Sequence, residues 1–394
     1  MQAKPRLHAA PATFASLALV LALAVVGVVV LGGGKAGAVQ QVSCGDTITA
    51  DTTLHHNLVN CPNNGIIIGA DNITLDLNYH TIDGDGTPFA GCAQPICDSG
   101  VVDDGHDGVA MVHGQVREFS FGLNLGPARH ARVLGVSTAK SRFTGILCFK
   151  CVRSVVRNSS GNRSIAGEDA AGMSLFASHH NRIVHNSFRR NAHFAILVLG
   201  SGGDKSTNNL IERNRFSRNG DEAILCGCEG FHVSHNRFVR NGGGITLGGG
   251  SRNVIIGNYV SGGRDGIRIE KGHDDLVADN VVSHVRRAGI RLGIPHPFLG
   301  GAHNTVRGNL VKGSRVDGFL VNAKDDHSLL RHNTARGAGD DGFDIQSRSA
   351  KLTSNRAVRN HDLGIEAVPG VIDGGGNEAS GNGDLRQCIN IACS

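Results

Sequence analysis

The sequence predicts an all-β solenoid in which each coil takes about 22 residues. Three observations support this fold class: a recurring asparagine, short apolar-alternating segments between the asparagines, and a composition rich in glycine but poor in large aromatic residues. Asn214, Asn236, Asn258 and Asn280 follow one another at intervals of 22 positions. The 394 residues include 56 Gly, 2 Tyr and 0 Trp. Because no helical period lies inside the repeat, each copy is predicted to form one turn of a solenoid.

Each repeat is predicted to contain three short strands, with an Asn between the first two and often a Gly before the third. Segments 209–227 ("NLIERNRFSRNGDEAILCG") and 231–249 ("FHVSHNRFVRNGGGITLGG") show this template. One repeat cannot form a core alone, but stacked repeats bury a continuous one. The asparagines are predicted to form an internal hydrogen-bonded ladder, because Asn tolerates left-handed turns and its amide can bond the copies above and below. They are Asn186, Asn214, Asn236, Asn258, Asn280, Asn309, Asn333 and Asn355, with Asn158 predicted to begin the series.

Residues 1–38 are predicted to be a signal peptide. Two basic residues precede an apolar run at about 14–31, and a small-x-small pattern ends before Val39. An uncleaved membrane anchor is the alternative, because the run is long for a signal peptide and short for a membrane span. Both interpretations place the remaining chain outside the cytoplasm, as a secreted or cell-surface protein.

Residues 39–394 are predicted to form the solenoid, with an N-terminal cap at about 39–64 and a C-terminal disulfide cap at about 370–394. The ten cysteines form five close pairs, as expected in an oxidising compartment. Cys148 and Cys226 occupy matching template positions, but two intervening coils would separate them by about 14 Å. One zinc ion cannot span that distance, so disulfides are favoured over a zinc site. The predicted pairs are Cys44 with Cys61, Cys92 with Cys97, Cys148 with Cys151, Cys226 with Cys228, and Cys388 with Cys393.

The repeats resemble those of right-handed parallel β-helix proteins of the pectate lyase superfold, a group that includes polyuronate lyases, mannuronan epimerases and NosD-type copper-processing accessory proteins. The resemblance rests on the motifs Asn-x-x-x-x-Asn and Gly-Ile-x-Leu or Gly-Phe-x-Ile, and on segment 64–86. It spans residues from about 44 to 388 and implies a single-stranded right-handed parallel β-helix. The fold alone does not define the chemistry, because function depends on the site that the fold carries.

Stacking the repeats brings four carboxylates together near the C-terminal end. Neighbouring coils lie about 4.8 Å apart, so Asp317 and Asp341 are predicted to be one strand spacing apart, with Asp340 and Asp344 beside them. Four such groups repel one another unless a cation lies among them, and oxygen ligands suit Ca²⁺. The alternative is ordinary turn chemistry, since Asp-Gly is a favoured turn dipeptide.

Residues 340–344, with residues 317–319 one coil earlier, are similar to the calcium site of the family nine pectate lyases. In that family Ca²⁺ bridges to uronate carboxylates and acidifies the C5 proton, which a lysine from a later coil abstracts. Here the only lysine after Asp344 is Lys351, which comes too early for that base. The candidates for a base in this sequence are Arg291, Lys324 and Lys351.

The predicted function is binding of acidic polysaccharide or cell-wall glycan through a calcium-bearing face. Arg268 and Arg291, aligned two residues after the third-strand glycine, are predicted to bind uronate carboxylates. The first alternative is a calcium-dependent polysaccharide lyase or C5-epimerase acting on polyuronates. The scarcity of Tyr and Trp disfavours an aromatic sugar platform. The second alternative is a NosD-type copper-processing accessory protein.

Other functional classes have less support. A net charge of +5 with both signs scattered disfavours nucleic acid as a partner. A polygalacturonase is disfavoured because neither Gly-His-Gly nor Arg-Ile-Lys follows residue 341. Copper binding has few ligands in its favour, because the chain has 3 Met and its 20 His are scattered.

Overall fold

The structure is a computed structural model that describes residues 41–87, 98–165, 167, 169–201, 203–296 and 300–394. The predicted signal peptide and the predicted Cys92–Cys97 pair lie outside the described residues. No helix long and apolar enough to cross a membrane is found among the residues that are described.

The described chain folds as parallel strands stacked into a solenoid of about 14 turns, with roughly 23 residues per turn. This confirms the predicted all-β fold class and its period. Each typical coil contributes one strand to each of three stacks, which are called here the first, second and third stacks in chain order. The third stack forms one sheet of 17 strands with its short accessory strands.

The strand bounds follow the template along the chain. Strands of the first stack are β2 (Thr52–Thr53), β5 (Thr74–Asp76), β12 (Val155–Arg157), β15 (Arg182–Val184), β19 (Leu210–Glu212), β22 (His232–Ser234), β25 (Val254–Ile256), β29 (Leu276–Ala278), β32 (Thr305–Arg307), β35 (Leu329–Arg331), β38 (Lys351–Thr353) and β41 (Ile372–Asp373). Strands of the second stack are β3 (Leu58–Cys61), β6 (Thr81–Gly84), β13 (Ser160–Asn162), β16 (Ser187–Arg189), β20 (Arg215–Ser217), β23 (Arg237–Val239), β26 (Tyr259–Ser261), β30 (Val281–Ser283), β33 (Leu310–Lys312), β36 (Thr334–Arg336), β39 (Arg356–Val358) and β42 (Glu378–Ser380). Two longer strands, β8 (Ala110–Arg117) and β10 (Arg132–Ala139), run through both stacks.

The third stack carries the longest strands in the middle of the molecule. Its strands are β1 (Asp46–Ile48), β4 (Ile66–Ile68), β7 (Ser99–Asp103), β9 (Phe121–Leu125), β11 (Thr144–Phe149), β14 (Ala171–Phe176), β17 (Phe194–Leu199), β21 (Glu222–Glu229), β24 (Gly243–Ser251), β27 (Ile267–Ile269), β31 (Ile290–Leu292), β34 (Phe319–Val321), β37 (Phe343–Ile345), β40 (Ile365–Ala367) and β43 (Cys388–Ile389), with accessory strands β18 (Ser206–Thr207) and β28 (Gly272–His273). The segment predicted as the N-terminal cap contributes β1 to β3, each paired in parallel with a strand of the next coil.

A continuous hydrophobic core runs along the solenoid, because each short strand turns alternate apolar residues inward. Phe188, Phe216 and Phe238 stack in successive coils with ring centroids 5.5 and 4.6 Å apart. Phe319 and Phe343 form a second stack at 4.6 Å. In β37 the predicted alternation is confirmed, since Phe343 and Ile345 are buried and the residue between them is half-exposed.

The asparagine ladder is confirmed as an internal structural element. Asn236 Nδ2 donates to Asn258 Oδ1 at 3.0 Å, and the Asn236 backbone N–H donates to the same oxygen at 2.9 Å. The ladder continues beyond the predicted series to Asn377, which accepts from the Asn355 backbone. The predicted first member was wrong. The backbone N–H of Ser159 donates to Asn186 Oδ1, whereas Asn158 occupies the preceding left-handed turn with φ of 51°.

The predicted cysteine pairs are disulfides wherever both partners are described. They join Cys44 to Cys61, Cys148 to Cys151, Cys226 to Cys228, and Cys388 to Cys393. The thiols that a shared zinc site would need are therefore consumed in two separate local bonds. At the C-terminal end, the backbone of Cys393 forms a parallel β-bridge with the backbone of Asn377.

Candidate metal centre and charged surfaces

Three carboxylates converge at the turn between the second and third stacks near the C-terminal end. Asp340 and Asp341 lie between β36 and β37, after the left-handed turn at Gly337, and Asp362 occupies the matching place one coil later. Each of the three offers an oxygen atom, and these oxygens all lie within 4.8 Å of one another. Two oxygens bound to one Ca²⁺ at 2.3–2.6 Å can be at most about 5 Å apart, so the spacing fits a shared calcium ion.

Asp317 and Asp344 lie near this trio without joining it. Both are close enough to Asp340 for its negative charge to raise their pKa. The backbone N–H of Asp341 partly opposes this increase in pKa for Asp317. Asp344 Oδ2 accepts from Gln346 Nε2 at 2.7 Å. The predicted set of four is therefore rearranged, with Asp362 beside Asp340 and Asp341.

Burial and mutual repulsion perturb the acids of this cluster. Desolvation is the main cause that raises the pKa of Asp341 to about 8, with further increases from Glu366 and Asp340. The Leu363 backbone N–H, which donates to Asp341 Oδ1 at 2.8 Å, opposes that shift. Desolvation, followed by the charges of Asp344 and Asp340, raises the pKa of Asp317 to about 7.

One cation faces the cluster from the next coil. Arg386 binds Asp384 through Nε and Nη2, the Nε contacts being 3.1 Å long. The carboxylates of Asp362 and Glu366 also help to raise the pKa of Arg386. The guanidinium therefore neutralises part of the negative charge beside the cluster, but it is already bound by Asp384.

The three candidates for a base lie in different environments. Arg291 is buried, its Nε donates to the Gly293 carbonyl at 3.3 Å, and desolvation lowers its pKa. Lys324 is exposed between β34 and β35. Lys351 is exposed at the start of β38, which belongs to the first stack rather than the third.

The predicted basic column exists, but its side chains are engaged within the protein. The strand register aligns Arg268 with Arg291, as the repeat predicts. The Arg268 side chain is 13% exposed and forms ion pairs with Glu222 at 3.0 Å and Glu270 at 3.2 Å. With Arg291 also buried, neither guanidinium is open to a ligand in this conformation.

The predicted set of four carboxylates did not include Asp362 or Glu366. Both lie 22 residues after predicted members: 362 − 340 = 22 and 366 − 344 = 22. The register places Glu366 directly beside Asp344. The repeat therefore contained the signal, but the column that includes Asp340 was not followed into the next coil.

The sequence comparisons match two family models. Residues 215–377 match the family described as periplasmic copper-binding protein (NosD), and residues 99–260 match the family described as right-handed β-helix region. No curated protein matches the chain.

The structural comparisons give the same fold. A mutant of the periplasmic alginate epimerase AlgG is 13% identical, with 76% of this chain and 77% of that chain covered and a TM-score of 0.57. This chain is a right-handed parallel β-helix repeat protein. Two other similar structures are an exopolygalacturonase from Thermotoga maritima (12% identity, 73% and 84% coverage, TM-score 0.49) and the surface adhesin PfbA of Streptococcus pneumoniae (11%, 76% and 84%, 0.47).

Proposed function

We propose that this β-helix protein acts outside the cytoplasm and binds acidic polysaccharide through a calcium ion held by Asp340, Asp341 and Asp362. The observation that carries the proposal is the approach of these three carboxylate oxygens within 4.8 Å. The disulfides and the match to a periplasmic family support the compartment. The fold shared with an alginate epimerase supports a polysaccharide partner.

The donor set suits calcium because it consists of carboxylate oxygens. Asp341 is buried, at 3% exposure, while Asp340 and Asp362 are exposed, so the cation would rest on the surface with free positions for other oxygen ligands. Carboxylates of a uronate polymer are ligands of that kind. The bound ion would supply positive charge that bridges two sets of anions, and it would offset the repulsion that adds to the effect of burial on the pKa of Asp341.

Calcium binding is tested by isothermal titration of the mature protein with CaCl₂ alone. The native chain is expected to bind one equivalent in the range of extracellular calcium sites, about 10⁻⁴–10⁻³ M. Asp341→Asn and Asp362→Asn are expected to weaken binding at least tenfold. Asp265→Asn is the matched control. Asp265 is also buried just before a strand of the third stack, but it forms ion pairs with Arg264 and Arg268. Absence of calcium binding at millimolar concentration would sink the proposal.

Polysaccharide binding is tested separately by sedimentation with insoluble polygalacturonate and alginate gels. Retention that calcium strengthens and a chelator weakens is the expected result. Calcium binding without any retention would support the metal site and contradict the proposed binding of acidic polysaccharide. An ultraviolet-absorbing unsaturated product in the same tubes would instead identify a lyase, the first alternative.

Copper handling is a second candidate function, favoured by the family match over residues 215–377. Among the described residues, the cluster of Asp340, Asp341 and Asp362 is the only group of three or more close potential metal ligands, and it contains no His or Cys. Elemental analysis after dialysis against a mixture of Ca²⁺ and Cu²⁺ separates the two candidates. Copper retained in preference to calcium would favour the second.

A further inference from the structure

A groove lined by five arginines runs along the middle coils, away from the acidic cluster. The groove has a volume of about 710 Å³ and is bordered by the ends of the second-stack strands. Its arginines are exposed, and no carboxylate lines it. They are Arg163, Arg189, Arg190, Arg218 and Arg240.

Four of these arginines form a straight column. Arg163, Arg190, Arg218 and Arg240 each follow a second-stack strand and adopt φ of 55–56°. Backbone bonds link the coils in order, from Arg163 N–H to the carbonyl of residue 189 at 3.0 Å and from Arg190 N–H to that of residue 217 at 3.1 Å. With coils about 4.8 Å apart, the column spans three spacings, or about 14 Å.

The column has defined ends. Before it, Lys140 occupies the same turn and is paired with Glu118. After it, the turn is taken by Gly262 at φ of 73°. No ion pair joins any of the five groove arginines to a carboxylate in the described part of the chain. The arginines thus form a row of unpaired positive charges. An ion-paired lysine ends the row on one side and a glycine ends it on the other.

We infer that this arginine groove binds a linear glycan bearing carboxylate or sulfate groups, by direct guanidinium–oxyanion contacts. Guanidinium groups bind such anions through paired N–H donors. A row of cations about 14 Å long fits a chain with repeated anions better than one small ion. Single-stranded nucleic acid is disfavoured because none of the lining residues is aromatic, whereas its binding usually relies on aromatic stacking.

The turn that carries these side chains does not require an arginine. A non-glycine residue in this conformation costs roughly 1–2 kcal/mol. Glycine fills the same turn at 262, 313 and 337, so the fold accepts the cheaper residue. The arginines therefore contribute little to folding that glycine could not supply, and the turn projects them into the groove.

The inference is independent of the calcium proposal, because the groove needs no metal. Binding of fluorescent polygalacturonate, dextran sulfate and single-stranded DNA is measured in a chelator at low salt. Arg218→Gly is compared with Arg359→Gly, since Arg359 occupies the same turn with φ of 55° outside the groove. Glycine adopts this backbone freely, so both variants are expected to unfold at nearly the native temperature.

Arg218→Gly is expected to weaken glycan binding about tenfold, and Arg190→Gly/Arg218→Gly/Arg240→Gly at least about a hundredfold. Arg359→Gly should change it less than about twofold. Binding of either glycan supports the inference, and their ratio distinguishes carboxylate from sulfate. The inference is overturned by no binding of either glycan, by equal losses in the two single variants, or by stronger binding of DNA. Loss of calcium binding in the earlier titration leaves this test unaffected.

Discussion

The arginine groove and the carboxylate cluster use the same turn of the repeat with opposite charges. In the middle coils, Arg190 and Arg218 extend from the turn into open solvent. Near the C-terminal end, Asp317 and Asp341 follow the turn and are 5% and 3% exposed. The spacing of about 4.8 Å between coils is the same in both regions. What differs is the position in the turn, because the arginines lie in the left-handed turn itself and the aspartates come after it, and the length of the charged side chain.

This difference determines how each region tolerates stacked like charges. Arginine has a long flexible stem, so neighbouring guanidinium groups can spread apart and stay hydrated. Aspartate places its charge next to the backbone, where stacking fixes the separation. Burial first, and this repulsion second, raise the pKa values of Asp317 and Asp341. A bound cation would offset the repulsion.

The largest expected effects come from the core, which the two regions share. Phe216→Ala and Phe343→Ala should each lower the free energy of unfolding by about 3–5 kcal/mol. The loss should be greater for Phe216, which stacks on Phe188 and Phe238, than for Phe343, whose aromatic neighbour is Phe319. Denaturant titration measures both. Equal losses for the two variants would contradict the expected contribution of the second aromatic neighbour of Phe216.

The fold was predictable from the sequence because one period determines both the strands and the stacking. The Asn214 to Asn280 interval alone indicates the coil length, and alternation places Phe343 inward. The column register was also predictable, as the alignment of Arg268 with Arg291 shows. The period could not show whether a side chain in a column is free. Arg268 is engaged by Glu222 from two coils earlier, a contact that depends on side-chain reach rather than on register.

The candidate sites were predictable only in part, for a related reason. Asp340 and Asp341 were identified by a motif within one repeat, and Asp362 required following the column onward. The arginine groove was visible as a repeated Arg before Asn in the segments ending at Arg190, Arg218 and Arg240. A net charge of +5 concealed it, because the acidic coils offset the basic ones.

The next largest effect is a pH dependence that belongs to the acidic region alone. The folded-state pKa of Asp341 is raised from 3.8 to about 8, so the folded protein binds more protons than the unfolded chain between these values. Its contribution to stability is therefore complete below about pH 4 and is lost as the pH rises towards 8. Asp341→Asn should stabilise the protein at pH 8 by at least about 1 kcal/mol and have little effect at pH 4.

Thermal unfolding across this pH range measures the effect in chelator. Asparagine keeps the acceptor for the Leu363 N–H, so the variant removes the charge while retaining that bond. Asp265→Asn serves as the control for loss of a buried carboxylate elsewhere. A native stability that rises from pH 4 to pH 8, with no gain from Asp341→Asn, would contradict the raised pKa of Asp341.

Salt should have the smallest effect on folding stability, but its effect on ligand binding discriminates best between the two regions. Raising the salt concentration from about 0.1 M to about 1 M shortens the screening length from about 10 to about 3 Å. The groove arginines are exposed, so glycan binding there should weaken strongly with NaCl. Calcium at Asp340, Asp341 and Asp362 would be held by direct coordination within 4.8 Å, so its affinity should fall less.

Titrations of the two ligands over the same salt series make this comparison within one protein. Arg218→Gly should flatten the salt dependence of glycan binding and leave that of calcium unchanged. Asp362→Asn should weaken calcium binding at every salt concentration and leave the glycan slope in chelator unchanged. If both variants altered both slopes, the two regions would act as one electrostatic surface. Independent slopes mean instead that the repeat carries two separate anion-recognition devices, one using guanidinium groups and the other a metal ion.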